Sequence, residues 1–254
     1  MTIQKQNFIL NVKSKTRRYS MKTVLFDLDG TLLPMNQDEF IKAYFGGLAT
    51  KLVPFGYDPN KLIGAIWAGT KAMVENDGSI TNEEAFWRTF SALFEEDVRK
   101  DEPIFDDFYR NEFNFVSFVC GHTEKAARII RMLKDRGCRC VLATNPIFPA
   151  VATGARMQWA GLDCRDFDLV TTYENARYCK PNLDYYRAIL TQIGETAENC
   201  VMVGNDVTED MVAKELGMQV FLLTDCMINK ENKDISQYPH GSFDALRTFL
   251  EENI

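Results

Sequence analysis

Residues 24–31 read Val-Leu-Phe-Asp-Leu-Asp-Gly-Thr, so that two carboxylates, Asp27 and Asp29, stand directly behind a short apolar run. Withdrawing a charge from water costs several kcal/mol per ion unless a partner neutralises it. A strand that delivers two acids to its carboxyl end therefore predicts a cation held there, with an anionic ligand on that cation. The spacing of two points both side chains the same way if strand geometry persists past Phe26. An Asp-Gly pair behind a strand is also an ordinary turn signal, so the octet gains weight only from what else reaches the same rim.

The elements that would position these acids can be read along the chain. Past residue 120, helix-like and strand-like segments alternate: helices over 123–136, 148–159, 183–193 and 209–216, and strands over 138–143, 167–172, 200–203 and 220–223, with Gly137, Gly161, Gly194 and Gly217 closing the helices. Repeated β–α units of this length predict a parallel sheet with helices on both faces. Ligands of such sheets bind beyond the carboxyl ends of the strands. Thr144 and Asn145 follow the strand at 138–143. Asn205 and Asp206 follow the strand at 200–203, with Asp210 one helical turn further on. Lys180 precedes Pro181 just ahead of a helix, from where it could reach the same rim.

On these residues the chain resembles the haloacid dehalogenase superfamily, in its phosphatase branch. The resemblance rests on four motifs in order: Asp27-Leu28-Asp29-Gly30-Thr31, Leu142-Ala143-Thr144-Asn145, Lys180-Pro181, and Gly204-Asn205-Asp206-Val207-Thr208-Glu209-Asp210. It spans residues 22 to about 225 and implies a Rossmann-like α/β core with a smaller all-helical cap domain. It further implies a Mg2+-dependent phosphatase acting on a small phosphorylated metabolite. In that scheme Asp27 is the nucleophile that forms an aspartyl-phosphate, and Asp29 protonates the leaving alkoxide and then activates water. Thr144 and the backbone near Asn145 hold the phosphoryl oxygens, and Lys180 acts as a point charge on the phosphoryl group and on Asp27. Asp27, the Asp29 backbone carbonyl and an acid of the last motif hold the metal.

That last motif departs from the usual pattern, because Asn205 stands where an acid commonly follows the glycine. Two alignments are open. Either Asp206 is the direct ligand and Asp210 positions Lys180 or a metal-bound water, or Asn205 takes the ligand place. A carboxylate neutralises a cation better than an amide, which favours Asp206. Both acids also have a plain structural reading, as a helix cap for Asp206 and as a complement to the helix dipole for Asp210.

The interval from Asp29 to Thr144 far exceeds the roughly 30 residues of a βαβ unit. Residues 36–119 carry helical spacing and many bulky rings, and are read as the helical cap, inserted between core segments 21–35 and 120–254. Most of these rings are expected to pack with one another, and a few to line a substrate pocket. Lys42, Lys51, Lys61, Lys71, Arg88 and Arg110 are the cations of the insert that could meet an anionic leaving group, though solvated helix faces explain them equally well. The first 20 residues hold Lys5, Lys13, Lys15, Arg17 and Arg18 and no acid, and read as a flexible basic tail.

Composition narrows the classes. Of 254 residues, 46% are apolar and 18 are Phe, enough for a sizeable core, and the net charge of −7 argues against a nucleic-acid binder. No apolar run is long enough to span a membrane. Seven scattered cysteines, without a Cys-x-x-Cys pair and with only two histidines, do not form a zinc site and fit a reducing cytoplasm. Neither histidine sits in a Ser or Cys nucleophile motif. A phosphomutase using the same intermediate and a non-catalytic phosphate-binding protein remain as alternatives. A dehalogenase is disfavoured by the presence of Asp29. Oligomeric state is left open.

Overall fold

The computed structural model describes residues 23–94 and 97–254, and the basic stretch at 1–20 lies outside these residues. Among them, six strands, β1 (Thr23–Phe26), β2 (Arg139–Leu142), β3 (Leu169–Val170), β4 (Cys200–Gly204), β5 (Gln219–Leu223) and β6 (His240–Gly241), form one sheet in the order β3-β2-β1-β4-β5-β6. Every adjacent pair is parallel. The central strands read as unbroken apolar runs because both faces are covered. Val24, Phe26, Cys140, Leu142, Val201 and Val203 face one core, and Leu25, Val141, Met202, Val220 and Leu222 face the other. That period of two is the strand alternation.

The helices follow the sequence pattern closely. They are α1 (Gln37–Leu52), α2 (Pro59–Val74), α3 (Asn82–Phe94), α4 (Glu102–Arg110), α5 (Glu124–Asp135), α6 (Ala150–Trp159), α7 (Leu183–Ile193) and α8 (Phe243–Asn253). The first core takes its cover from α5, α6 and α8 through Ile129, Ile130, Met157 and Leu246. The second takes Tyr185, Tyr186 and Ile189 of α7. Two expectations are corrected. The helix read over 148–159 starts at Ala150, because Pro149 is the extended N-cap residue and Phe148 stays outside the helix. The helix read over 209–216 is a 3₁₀ segment, Met211–Leu216, and the Asp210 side chain makes no cap bond to it. That side chain is engaged elsewhere, as described below.

The long interval between the first two motifs is an all-helical excursion that starts and ends at one point. Met35 and Cys120 form an isolated antiparallel bridge, and the Gly121 N–H donates to the Pro34 carbonyl at 2.7 Å. Between them lie α1 to α4 and three 3₁₀ segments, with no strand among the described residues. The helix starts are marked locally: the Asn36 side chain accepts from the Asp38 and Glu39 N–H groups, and Asp58 accepts from the Lys61 N–H ahead of Pro59. Phe90, Phe108 and Phe113 are fully buried. Phe105 meets Trp87 and Phe90 edge-on, with ring centroids 5.4 and 5.6 Å apart, a favoured aromatic geometry.

The start of α3 fastens this helical segment to the loops beyond the sheet. The buried Asn82 amide donates to the Pro146 carbonyl at 3.1 Å, and the Glu83 N–H donates to the Tyr173 carbonyl at 2.9 Å. No helix among the described residues is long and apolar enough to cross a membrane.

Candidate active site

The carboxyl ends of β1, β2 and β4 converge on one cavity of about 230 Å3, bounded on its far side by α1 to α4. Asp27, Asp29, Thr144, Asn145, Asn205 and Glu209 line its sheet end.

Asp27 leaves β1 with its N–H still bonded to the Val203 carbonyl at 2.9 Å. Its Oδ1 accepts from the Lys180 ammonium at 3.0 Å, and its Oδ2 accepts from the Thr31 hydroxyl at 2.9 Å. Strand geometry does not persist to Asp29, contrary to the condition set by the sequence reading. The chain turns instead, with the Thr31 and Leu33 N–H groups donating to the Leu28 carbonyl at 3.1 and 2.8 Å. Gly30 is the residue that permits this turn. Its φ of +82° lies in the left-handed region, and a Cβ there would stand 2.3 Å from the Asn205 Nδ2.

The turn hands Asp29 to a partner the sequence did not reveal. Asp29 Oδ2 accepts from Arg156 Nη1, while Asp29 Oδ1 is buried and has no hydrogen-bond partner. Burial pushes the Asp29 carboxyl above its usual range and the Arg156 charge opposes that rise. Arg156 is itself fully buried on α6. Its guanidinium lies 4.3 Å from the Phe148 ring centroid and donates to the Thr153 hydroxyl at 3.3 Å. The only local signal for it was a lone arginine among apolar residues, on the face that also presents the buried Ala152, Thr153 and Met157.

Lys180 arrives from the loop before α7 and is buried between two acids. Its ammonium donates to Asp27 at 3.0 Å and to Asp210 at 2.6 Å. Burial alone would lower its pKa, but Asp210 and Asp27 outweigh that and hold it well above the ordinary lysine value. Gly204 leaves room for this arrangement, since a Cβ there would stand 2.1 Å from the Asp210 carboxyl carbon. Asp210 therefore acts as the anchor of Lys180 and not as a helix-terminal charge.

The structure favours Asn205 over Asp206 at the cavity. Asp206 turns its Oδ1 back onto the Thr208 and Glu209 N–H groups at 2.7 and 2.9 Å, capping its own turn. The Asp206 N–H donates to Asp210 Oδ2 at 2.9 Å. Asn205 is buried, donates its amide N–H to the Cys226 carbonyl at 2.7 Å, and presents its Oδ1 to the Thr31 hydroxyl at 3.0 Å. One hydroxyl proton thus faces both the Asp27 carboxylate and the Asn205 amide oxygen.

Asn145 is a clip in this arrangement. Its Oδ1 accepts from the Lys180 N–H at 3.3 Å and its Nδ2 donates to Glu209 Oε2 at 3.0 Å. The Thr144 carbonyl is pinned by the hydroxyls of Thr171 at 2.7 Å and Tyr185 at 2.8 Å. Glu209 was not foreseen as a site residue. Burial pushes its carboxyl up to about 7, against the pull of Lys180.

No group of three His, Cys, Asp or Glu side chains among the described residues is spaced to hold a metal ion. The oxygen donors that line this end are the Asp27 carboxylate and the Asn205 amide oxygen, with the Asp29 backbone beside them. Such an oxygen set suits a hard cation that leaves its other positions to water and phosphate. The orphaned Asp29 oxygen marks polar capacity the protein itself leaves unmet.

Comparison with known proteins agrees with this architecture. The chain is 25% identical over 203 residues to pyrophosphatase PpaX of Bacillus pumilus, covering 78% of this chain and 81% of that one. It is 26% identical over 211 residues to the probable phosphatase IndB of Dickeya dadantii, covering 79% and 80%. Among solved structures, the magnesium-bound putative hydrolase YfnB of Bacillus subtilis superposes with a TM-score of 0.57 at 20% identity, covering 91% of this chain and 99% of that one. A family model for haloacid dehalogenase-like hydrolases matches residues 21–217, and the chain belongs to that family.

Proposed function

We propose that this hydrolase is a Mg2+-dependent phosphatase that cleaves a small phosphomonoester through an aspartyl-phosphate on Asp27. The observation that carries this reading is the setting of Asp27, whose two oxygens are held by Lys180 and Thr31 at the mouth of the cavity. A carboxylate oriented in this way can attack phosphorus in line with a leaving oxygen.

Asp29 is the acid and base of the cycle. Burial raises its affinity for the proton it hands to the departing alkoxide, and the carboxylate that remains removes a proton from the water that cleaves the acyl phosphate. Arg156 limits how far that pKa rises, so that the same group can serve both steps. Lys180 offsets the negative charge of Asp27 and of the phosphoryl oxygens, and Thr144 offers a hydroxyl to those oxygens. Asp27, the Asp29 backbone carbonyl and Asn205 are the groups that would hold Mg2+, and Asp206 is left to its turn. When bound, the ion neutralises the carboxylate and phosphate oxygens that would otherwise repel each other.

Residues 36–119 are read as the cap, with hinges at the isolated bridge between Met35 and Cys120. The cap closes the cavity from above and keeps bulk water from the phosphoryl group. The test is phosphate release from p-nitrophenyl phosphate. We expect turnover with Mg2+, its loss in chelator, and a fall to below roughly a thousandth in Asp27→Asn with the fold retained. Equal rates for wild type and Asp27→Asn refute the proposal.

A further inference from the structure

The cavity carries a charge pattern that bears on what leaves with the phosphate. Beyond the sheet end its wall is made by rings and aliphatic side chains, among them Phe45, Trp67, Phe86 and Phe105. Its polar members there include Glu102 and Asp106, and none of the described lining residues is Lys, Arg or His. Several cations of the helical segment are engaged by other side chains. Lys51 binds Asp107 and Glu112, Arg99 binds Glu83, Glu84 and Glu102, and Lys71 pairs with Glu75. Lys61 lies 4.8 Å from the Phe94 ring centroid. The two cations near the sheet end, Lys180 and Arg156, are buried against Asp27, Asp210 and Asp29.

Resting on the phosphatase reading above, we infer that the substrate is a phosphomonoester whose leaving alcohol is apolar, carries a ring, and bears no second anionic group. A carboxylate or second phosphate on the leaving group would be desolvated against rings and set beside Asp106 and beside Glu102, which shares Arg99 with Glu83 and Glu84, and this costs several kcal/mol. A flat ring instead gains edge and face contacts with the walls. The space agrees, since an apolar cavity of roughly 150 Å3 takes up one benzene and this one measures about 230 Å3. Pyrophosphate, phosphoglycolate and sugar bisphosphates are the substrates this wall disfavours.

Two readouts on the wild-type protein with Mg2+ test the inference. Calorimetry compares benzylphosphonate with phosphonoacetate, which are not hydrolysed, and benzylphosphonate is expected to bind at least about 10-fold tighter. Kinetics compares benzyl phosphate with 2-phosphoglycolate, with kcat/KM expected to favour the benzyl ester by about 100-fold. Thr70→Lys and Asp106→Lys, each placing a cation on the cavity wall, should narrow that ratio by about 10-fold. Tighter binding of phosphonoacetate, or turnover of phosphoglycolate at or above that of the benzyl ester, overturns the inference while leaving the phosphatase reading intact. Preferred binding of benzylphosphonate without hydrolysis of either ester supports the pocket chemistry and removes the phosphatase reading instead.

Discussion

Arg156→Met isolates the one buried ion pair that sequence inspection did not foresee. The substitution keeps an unbranched apolar stem on α6 and removes the guanidinium that Asp29 accepts from. Arg156 is 0% exposed, so the cavity-lining Asp29 loses a cation held out of water. Deleting one partner of a buried pair costs about 3–5 kcal/mol, and the lost contact with Phe148, at 4.3 Å, adds about 1–2 kcal/mol of its own. Because Asp29 can escape by taking a proton, the cost depends on pH. Burial already raises the Asp29 pKa, and without Arg156 it rises further. A carboxyl whose folded pKa exceeds its unfolded one stabilises the fold below that pKa and loses this as pH rises through it. The deficit of Arg156→Met should therefore fall near pH 5 toward the lost Phe148 contact alone, about 1–2 kcal/mol, and reach about 4–7 kcal/mol near pH 8, read by urea unfolding in chelator. Adding Asp29→Asn should recover at least about 2 kcal/mol at the upper pH, because the unpaired charge is then gone. In the rate profile, the limb that needs ionised Asp29 should move to higher pH. An Arg156→Met protein within about 1 kcal/mol of wild type near pH 8, or a double variant no more stable than the single, would refute this account.

The other predictions concern neighbouring contacts. Lys180→Met leaves Asp27 and Asp210 buried without a cation. It should lose about 3–5 kcal/mol of unfolding free energy together with phosphate release, and Lys180→Met with Asp210→Asn should regain stability but not turnover. Gly30→Ala forces a side chain into a left-handed turn and against the Asn205 amide. A loss of about 2–4 kcal/mol and a raised Mg2+ requirement are expected, checked by chemical unfolding and by metal titration of activity. Glu209, with its carboxyl pushed up to about 7, binds a proton more tightly folded than unfolded. Its contribution is present below its unfolded pKa and is lost as pH rises toward 7, by up to about 3 kcal/mol. In chelator, Glu209→Gln should remove that slope from the urea-unfolding free energy, and parallel slopes for the two proteins would count against it.

Much of this molecule was legible in its residues because the signals are local. An apolar run ending in Asp-Leu-Asp-Gly-Thr marks a buried strand and the turn behind it, since both faces of a central parallel strand need apolar cover and the turn needs a glycine. The helices at 124–135 and 183–193 are written in their own periodicity and stops. The length between the first two motifs required an insertion, whose rings pack in one cluster that continues into the first core of the sheet. Placing Lys180 near Asp27 needed only the rule that strand ends share a rim.

What remained illegible depends on pairings with no trace in nearby residues. Arg156 meets Asp29 across 127 positions and Thr31 meets Asn205 across 174, so nothing adjacent to either partner announces it. The preference for Asp206 as a metal ligand followed from charge alone. Charge carries no sign of the two orphan N–H groups that the Asp206 side chain satisfies in its own turn, nor of the Thr31 hydroxyl that the Asn205 amide oxygen shares with Asp27. The eight cations of residues 36–119 could be counted in the sequence, but their distance from the cavity could not, because that is set by how four helices pack. Composition, the parallel β–α alternation and the acids at the first strand end were determined by the chain itself. Which oxygen faces which charge was decided only when segments distant in sequence were excluded from water together, because there every polar atom must find a partner or stay exposed.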